Sequence, residues 1–238
     1  MNILITICAR GGSKGIPGKN IKNLNNKPLL HFTMEHAIAF AKQHSADIQL
    51  STDSAEILDC AADLGYTTNY KRPDALGTDS VGKIEVIRHA WLWKEEQTGK
   101  SYDYVLDMDV TSPLRTMTDL TSALKKLKST PEALNIFSVN PAARNPYFNM
   151  VELSEDGYAR VSKTSSIIKS RQSAPPVYDM NASFYFFSRE FMEEGYQRST
   201  TNRSLVFVMD HICFDLDEPV DFTVLEIMLR EGLLDFQL

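Results

Sequence analysis

Cysteine is scarce in this chain of 238 residues: Cys8, Cys60 and Cys213 are three, odd in number and far apart. That excludes a disulfide framework and a cysteine-built zinc site. Cys8 and Cys213 fall in strand-like runs, where a free cysteine acts as a small buried hydrophobe. Long hydrophobic runs are lacking too. No stretch is long enough to span a bilayer, and the opening run Ile3 to Cys8 is too short for a signal peptide, so a soluble cytoplasmic protein is expected. Internal repeats and low-complexity segments are absent. So is a surplus of positive charge: the net charge of -6 makes nucleic acid and anionic membrane poor partners. One further absence is local. No acid precedes Glu35, yet Arg10, Lys14, Lys19, Lys22 and Lys27 do. A cationic patch focused on an acidic chain points to a small anionic ligand.

What is present reads as one α/β domain. With 43% hydrophobic and 24% charged residues the composition is globular and supports a full core. "NILITIC" and "DIQLS" are strand runs. A helix is expected from Pro28 to about Lys42, and another over "SAEILDCAADL", capped by Asp53 and ended by Gly65. "YTTNY" is a further strand candidate. A helix from Lys83 to Gln97, the strand "YDYVLDMD" and the helix "TDLTSALKKLK" follow. This alternation predicts a doubly wound, mostly parallel sheet. Residues 135–180 differ, with β-rich runs and turn signals at Pro141, Pro146, Asp156-Gly157 and Pro175-Pro176. They predict an antiparallel insertion or arm. "HICFDLDEPVDFTVLEIMLREG" then returns to strand and helix.

"CARGGSKGIPGKN", Cys8 to Asn20, follows the first strand. Four glycines and three cations make it a phosphate-binding candidate, since backbone N–H groups converge in such a turn. It is neither a Walker A loop nor a dinucleotide fingerprint. Ser13 stands where the Walker first glycine belongs, Asn20 stands where its Ser/Thr belongs, and no G-x-G-x-x-G can be placed. Its position at the C-terminal end of a strand is where α/β sheets bind ligands.

Two carboxylate pairs complement it. Residues two apart on a strand share a face, so Asp107 and Asp109 in "LDMD" pair up, as do Asp215 and Asp217 in "FDLD". Mg²⁺ takes one or two carboxylates plus phosphate oxygens. The plainer readings are a strand end for Asp107 and a helix N-cap for Asp217 ahead of Glu218-Pro219.

The ordered set "ARGGSKGIPGKN", "KRP" at Lys71 to Pro73, "TSPLR" at Thr111 to Arg115, "RQ" at Arg171-Gln172 and "DLDEPVDF" at Asp215 to Phe222 resembles the acylneuraminate cytidylyltransferases, or CMP-sialic acid synthetases. The resemblance spans nearly the whole chain. It implies a Rossmann-like nucleotidyltransferase fold over 1–238. It also implies a homodimer whose β-rich arm, about 135–180, reaches toward the partner's site. The reaction implied is CTP plus a nine-carbon 2-keto sugar acid giving the CMP-sugar and pyrophosphate, with Mg²⁺. Carried over by position, Arg10, Gly12, Ser13, Lys14, Lys19, Asn20, Arg72 and Ser80 would hold CTP. Asp215 and Asp217 would hold the metal. Asp109, Arg171, Gln172, Asp179, Asn181 and Tyr185 would lie near the sugar acid, with Arg171 the candidate for its carboxylate. Lys14 and Lys19 would offset phosphate charge, and Asp217 would assist deprotonation of the attacking hydroxyl.

The departures bear on the sugar. Asp109 stands where relatives commonly have glutamine, Asn145-Pro146-Tyr147-Phe148 lacks a lysine, and Asp179 replaces a second arginine. These changes favour a legionaminic-type acid over N-acetylneuraminic acid. The alternatives are a nucleotidyltransferase for an eight-carbon keto acid or a sugar phosphate, and a non-catalytic nucleotide-binding regulator. Whether Asp107 and Asp109 face metal or sugar stays open on this reading.

Overall fold

In the computed structural model, which describes residues 1–12, 15–78, 80–163, 168 and 170–238, the opening apolar run forms β1 (Ile3–Cys8). A small two-stranded ribbon, β2 (Asn23–Leu24) and β3 (Lys27–Pro28), leads into helix α1 (Leu29–His44). There follow β4 (Asp47–Ser51), α2 (Ala55–Ala62), α3 (Lys83–Thr98), β5 (Tyr104–Met108) and α4 (Met117–Lys128). The second half contains β6 (Asn135–Pro141), β7 (Val151–Leu153), β8 (Ala159–Val161), β9 (Tyr178–Ser188), α5 (Arg189–Glu193), β10 (Ser204–Val208) and α6 (Pro219–Arg230).

Six strands make the main sheet, in the order β10-β6-β9-β5-β1-β4. β1 runs parallel to β4 and β5, and β6 runs parallel to β10; β9 is antiparallel to both neighbours. Alternation along β1 explains why helices cover both faces. Ile3, Ile5 and Ile7 belong to a core with α1 residues such as Leu30 and Phe40. Leu4 points the other way and packs with Ile84, Ile87 and Trp91 of α3. Strands buried on both sides read as continuous apolar runs, as this one does.

Several expectations are corrected. The cap of α2 is Ser54, whose side chain accepts from Ile57 N–H, rather than Asp53. "YTTNY" is not a strand; Tyr66 instead turns its hydroxyl onto the backbone of β4, accepting from Leu50 N–H at 3.0 Å. "FDLD" is not a strand either. It is an extended segment without a ladder, held where Leu216 N–H donates to Thr111 O at 2.8 Å. Of the stretch read as an arm, β6 and β9 lie inside the main sheet, and the β7–β8 hairpin stands outside it. No described helix is long and apolar enough to cross a membrane.

Candidate active site

Parallel strands end on the same edge, so β1, β4 and β5 deliver the residues that follow them to one rim. Two adjoining cavities open there. One, of about 310 Å³, is lined by Arg10, Gly15, Lys19, Asn20, Thr111 and Asp217 among others. The other, of about 230 Å³, is lined by Arg72, Leu76, Thr78, Val81 and Lys83 among others. Cys8, Arg10 and Asp109 line both, so the two are lobes of one cleft.

The basic loop is tied to the far end of the chain. Lys19 Nζ donates to Leu216 O at 2.7 Å and lies 3.3 Å from Asp217 Oδ1. Asn20 is buried, and its amide donates to Arg10 O at 2.9 Å. Gly15 is required by the close approach: a Cβ there would lie 2.9 Å from Asp217 O. Gly18 sits at φ +63, where a side chain is strained. Gly12 is exposed at the loop's start. Ser13 and Lys14 lie outside the described residues.

On the acidic side, Asp217 is 72% exposed while Asp215 is half-buried and Leu216 fully buried. The alternation of an extended chain therefore survives without a sheet. The cap of α6 is Glu218, and Asp221 accepts the backbone N–H groups of Asp217 and Glu218 at 2.9 and 2.7 Å. Asp217's carboxylate is thus left out of the capping. Asp215 Oδ1 is buried with no hydrogen-bond partner among the described residues. Burial, then the nearby charges of Asp109 and Asp217, push the Asp215 carboxyl above its ordinary range. An unpartnered buried carboxylate oxygen beside a second acid is a donor set that suits a hard divalent cation. No three metal-capable groups converge there among the described residues. Among the described residues that occurs at Asp119, Asp210 and His211, which line a separate cavity beside α4.

The other pair is engaged by a lysine that sequence reasoning missed. Lys83 Nζ lies 2.8 Å from Asp107 Oδ2 and 2.6 Å from Asp109 Oδ2. Asp107 is fully buried and accepts from Thr6 Oγ1 at 2.9 Å. Asp109 Oδ1 accepts from Thr111 N–H and Oγ1–H at 2.9 and 2.8 Å. Burial raises the Asp109 carboxyl, but Lys83 and the Thr111 donors outweigh it and bring it down to about 2. The buried Arg115 braces this corner, donating to Thr33 Oγ1 at 3.0 Å, Ser183 Oγ at 2.9 Å and the Asp109 carbonyl. Lys83 was visible only as a basic residue in the first turn of a predicted helix, where the macrodipole disfavours it.

A third cavity, of about 340 Å³, adjoins the cleft at Lys83 and is lined by Ile84, Met180, Tyr185, Phe187 and residues 197–200. Tyr185 is among its lining residues. Asn181 is not: it is buried, with Oδ1 accepting from Ser138 Oγ and Nδ2 donating to Asn140 Oδ1, each at 2.6 Å. Asp179 is exposed on β9, and Gln172 is exposed in a short 3-10 turn. Arg171 begins that turn, and its side chain lies outside the described residues. Arg72 is buried, donating to Ser51 Oγ at 3.0 Å and Ser51 O at 2.5 Å, so its side chain shapes the wall of the cleft. Ser80 is exposed, 3.1 Å from Thr78 Oγ1. Cys8, though it lines the cleft, is held as a neutral thiol by burial.

A cytidylyltransferase family model matches residues 4–226. The chain belongs to the cytidylyltransferase family. Two of this cytidylyltransferase's relatives match it over nearly their whole length. Post-translational flagellin modification protein B of Campylobacter coli is 37% identical over 231 residues, 96% of this chain and 95% of that protein. The CMP-N,N'-diacetyllegionaminic acid synthase of Campylobacter jejuni is 37% identical over 231 residues, 95% of this chain and 94% of that protein. The solved CMP:2-keto-3-deoxy-manno-octonic acid synthetase complexed with CTP shares the fold. Its TM-score is 0.67 at 13% identity, covering 98% of this chain and 100% of that one.

Proposed function

We propose that this cytidylyltransferase activates a nine-carbon 2-keto sugar acid of the legionaminic or sialic type, using CTP and releasing pyrophosphate. The observation that carries the reading is the joining of the basic loop to the Asp215–Asp217 segment at one cleft, where Lys19 bridges residues nearly the whole chain apart. Similarity along the full length to a CMP-N,N'-diacetyllegionaminic acid synthase supports the sugar class.

The residues divide the work. Arg10, Lys19 and Asn20, with Gly12, Ser13 and Lys14 of the same loop, receive the triphosphate. The wall shaped by Arg72, with Ser80 near it, faces the nucleoside. The 340 Å³ cavity beyond Lys83 takes the sugar acid against Tyr185. Arg171, Gln172 and Asp179 are assigned to the sugar acid by the family resemblance alone, and the Asn181 amide is spent inside the β6–β9 seam. Asp215 and Asp217 fit Mg²⁺, which, when bound, neutralises phosphate charge and orients the phosphates. Lys19 offsets charge growing on the leaving pyrophosphate. Asp217 is the residue assigned to assist deprotonation of the attacking hydroxyl, directly or through water.

A second copy of the chain completes the molecule on this reading. The β7–β8 hairpin exposes Val151 at 61%, Leu153 at 79% and Tyr158 at 71%, an apolar surface suited to a homodimer. Cytoplasmic operation follows from the substrates.

The test is pyrophosphate release with each of the four NTPs, Mg²⁺ and a panel of sugar acids and sugar phosphates. CTP and a nine-carbon acid are expected to be required together. Equal turnover with ATP or GTP, or turnover of a sugar phosphate alone, would refute the reading.

A further inference from the structure

Among the described residues, Lys83 alone lines both the nucleotide lobe and the 340 Å³ cavity beyond it. It is the first residue of α3, a 16-residue helix whose N-terminal end already carries partial positive charge. A lysine there works against the helix. It is drawn instead to Asp107 and Asp109, at 2.8 and 2.6 Å, and its ammonium lies 5.2 Å from the Tyr185 ring centre. An ammonium has three N–H donors. One goes to Asp109 Oδ2, and Asp107 Oδ2 faces the group as an ion-pair partner. With its side chain 34% exposed, Lys83 keeps a donor for a ligand at the boundary between the cavities.

On the proposed reaction, that boundary is where the substrates meet. In a 2-keto sugar acid the attacking hydroxyl and the carboxylate sit on the same carbon. Whatever binds the carboxylate therefore lies close to the reacting phosphorus, at the junction and not deep in the cavity. Around the rest of the cavity, Ile84, Ile87, Met180 and Phe187 provide apolar walls, and Gln197 and Ser199 provide polar groups, a lining suited to an acylated sugar. Arg198 is a second cation, but it is exposed and lines the outer cavity without reaching the nucleotide lobe.

We infer that Lys83 is a specificity-determining residue that receives the carboxylate of the sugar acid, held in place for this by Asp107 and Asp109. The inference rests on the proposed function. It also gives Asp109 a positioning role: the aspartate cannot bind a carboxylate, but it aims the cation that does. Burial opposes the charge on Lys83, yet the two aspartates outweigh it, so the group is a permanent cation and not a base.

The experiment compares N,N'-diacetyllegionaminic acid with its primary carboxamide in the wild type, Lys83→Gln, Lys83→Arg and Arg171→Gln. With CTP and Mg²⁺, kcat/KM is measured, or Ki for a compound that is not turned over. The wild type is expected to prefer the acid. Lys83→Gln should lose about tenfold or more of that preference, the value of a hydrogen bond to a charged group, while KM for CTP moves by less than about threefold. Lys83→Arg should keep most of the preference. A merely structural lysine would slow both compounds alike. An unchanged acid-to-amide ratio in Lys83→Gln overturns the inference, as does a loss confined to Arg171→Gln or a rise in KM for CTP alone. If Lys83→Gln does not fold by thermal melting, Lys83→Gln/Asp109→Asn, which leaves the cluster's net charge unchanged, carries the same comparison. No turnover of any sugar acid by the wild type would remove the proposed function and this inference with it; turnover with an unchanged ratio removes this inference alone.

Discussion

At the scale of the residue, the site is a set of opposed charges held in register. Asp215 and Asp217 are the clearest case. If the pair holds Mg²⁺ as proposed, Asp215→Asn and Asp217→Asn each remove a hard anionic ligand while keeping size, and each is expected to lower kcat about 100-fold or more at saturating Mg²⁺. Asp215 carries a buried oxygen without a partner among the described residues, so its ionised form costs stability in the absence of metal. The melting temperature of Asp215→Asn, measured in chelator, should equal or exceed that of the wild type. A large fall in melting temperature would make Asp215 a structural group instead. Lys19 behaves differently. Its ammonium is anchored by Leu216 O and Asp217, so it is already oriented before substrate arrives. Lys19→Ala should lower kcat more than it raises KM for CTP, because charge on the leaving pyrophosphate peaks in the transition state. A change in KM alone would assign it to ground-state binding.

At the scale of the element, two joints matter. The opening loop crosses Asp217 at Gly15 with no room for a Cβ, the nearest atom being 2.9 Å away. Gly15→Ala should push the loop off the acidic segment and cut kcat/KM for CTP by about tenfold or more, whereas Gly12→Ala, with open space around it, should leave the melting temperature in place. Equal effects in the two variants would show that the crossing is not held closely.

The second joint is the start of α4. Thr116 and Asp119 form a capping box, and Asp119 Oδ2 also faces His211 Nε2 at 2.9 Å. Burial lowers the His211 pKa, but the Asp119 hydrogen bond and the Ile212 carbonyl outweigh it, so the net direction is upward. Stabilisation from a raised histidine is complete below its ordinary value and is lost as pH rises through the folded-state value. The melting temperature of the wild type should therefore fall, relative to that of His211→Gln, as pH rises above the ordinary histidine value of about 6.5. Parallel curves for the two proteins would mean that the pair contributes nothing.

At the scale of the whole molecule, the hairpin outside the sheet is an exposed apolar feature. Leu153 and Tyr158 are among the most exposed large apolar side chains described. Leu153→Asp with Tyr158→Asp should convert a dimer to a monomer in sedimentation velocity. A wild type that already sediments as a monomer would dispose of the dimer.

Much of this protein was legible in its sequence because the deciding signals are local. The apolar run of β1, the glycine loop behind it and the spacing of "TSPLR" and "DLDEPVDF" each depend on neighbours a few residues away. Together they marked the fold class, the family and the cationic loop. Periodicity also placed α1, α3 and α4 within a few residues of their ends. What failed was inference from pattern to pairing. "FDLD" alternates as a strand does, yet no neighbouring strand completes it; its alternation comes from Leu216 being drawn into the core between Thr111 and Lys19. The runs of β6 and β9 read as an arm because antiparallel pairing looks alike in an insertion and in a sheet, and only the order of strands tells them apart. Asn181 read as a sugar contact, but its amide is bonded inside the β6–β9 seam. The ion pairs of Lys83 with Asp107 and Asp109 span about two dozen residues and depend on where α3 begins against β5. Composition and spacing set which chemical groups this chain carries. Only tertiary structure decided which of them meet, because charges interact through distance in space and the chain's local preferences do not fix that distance.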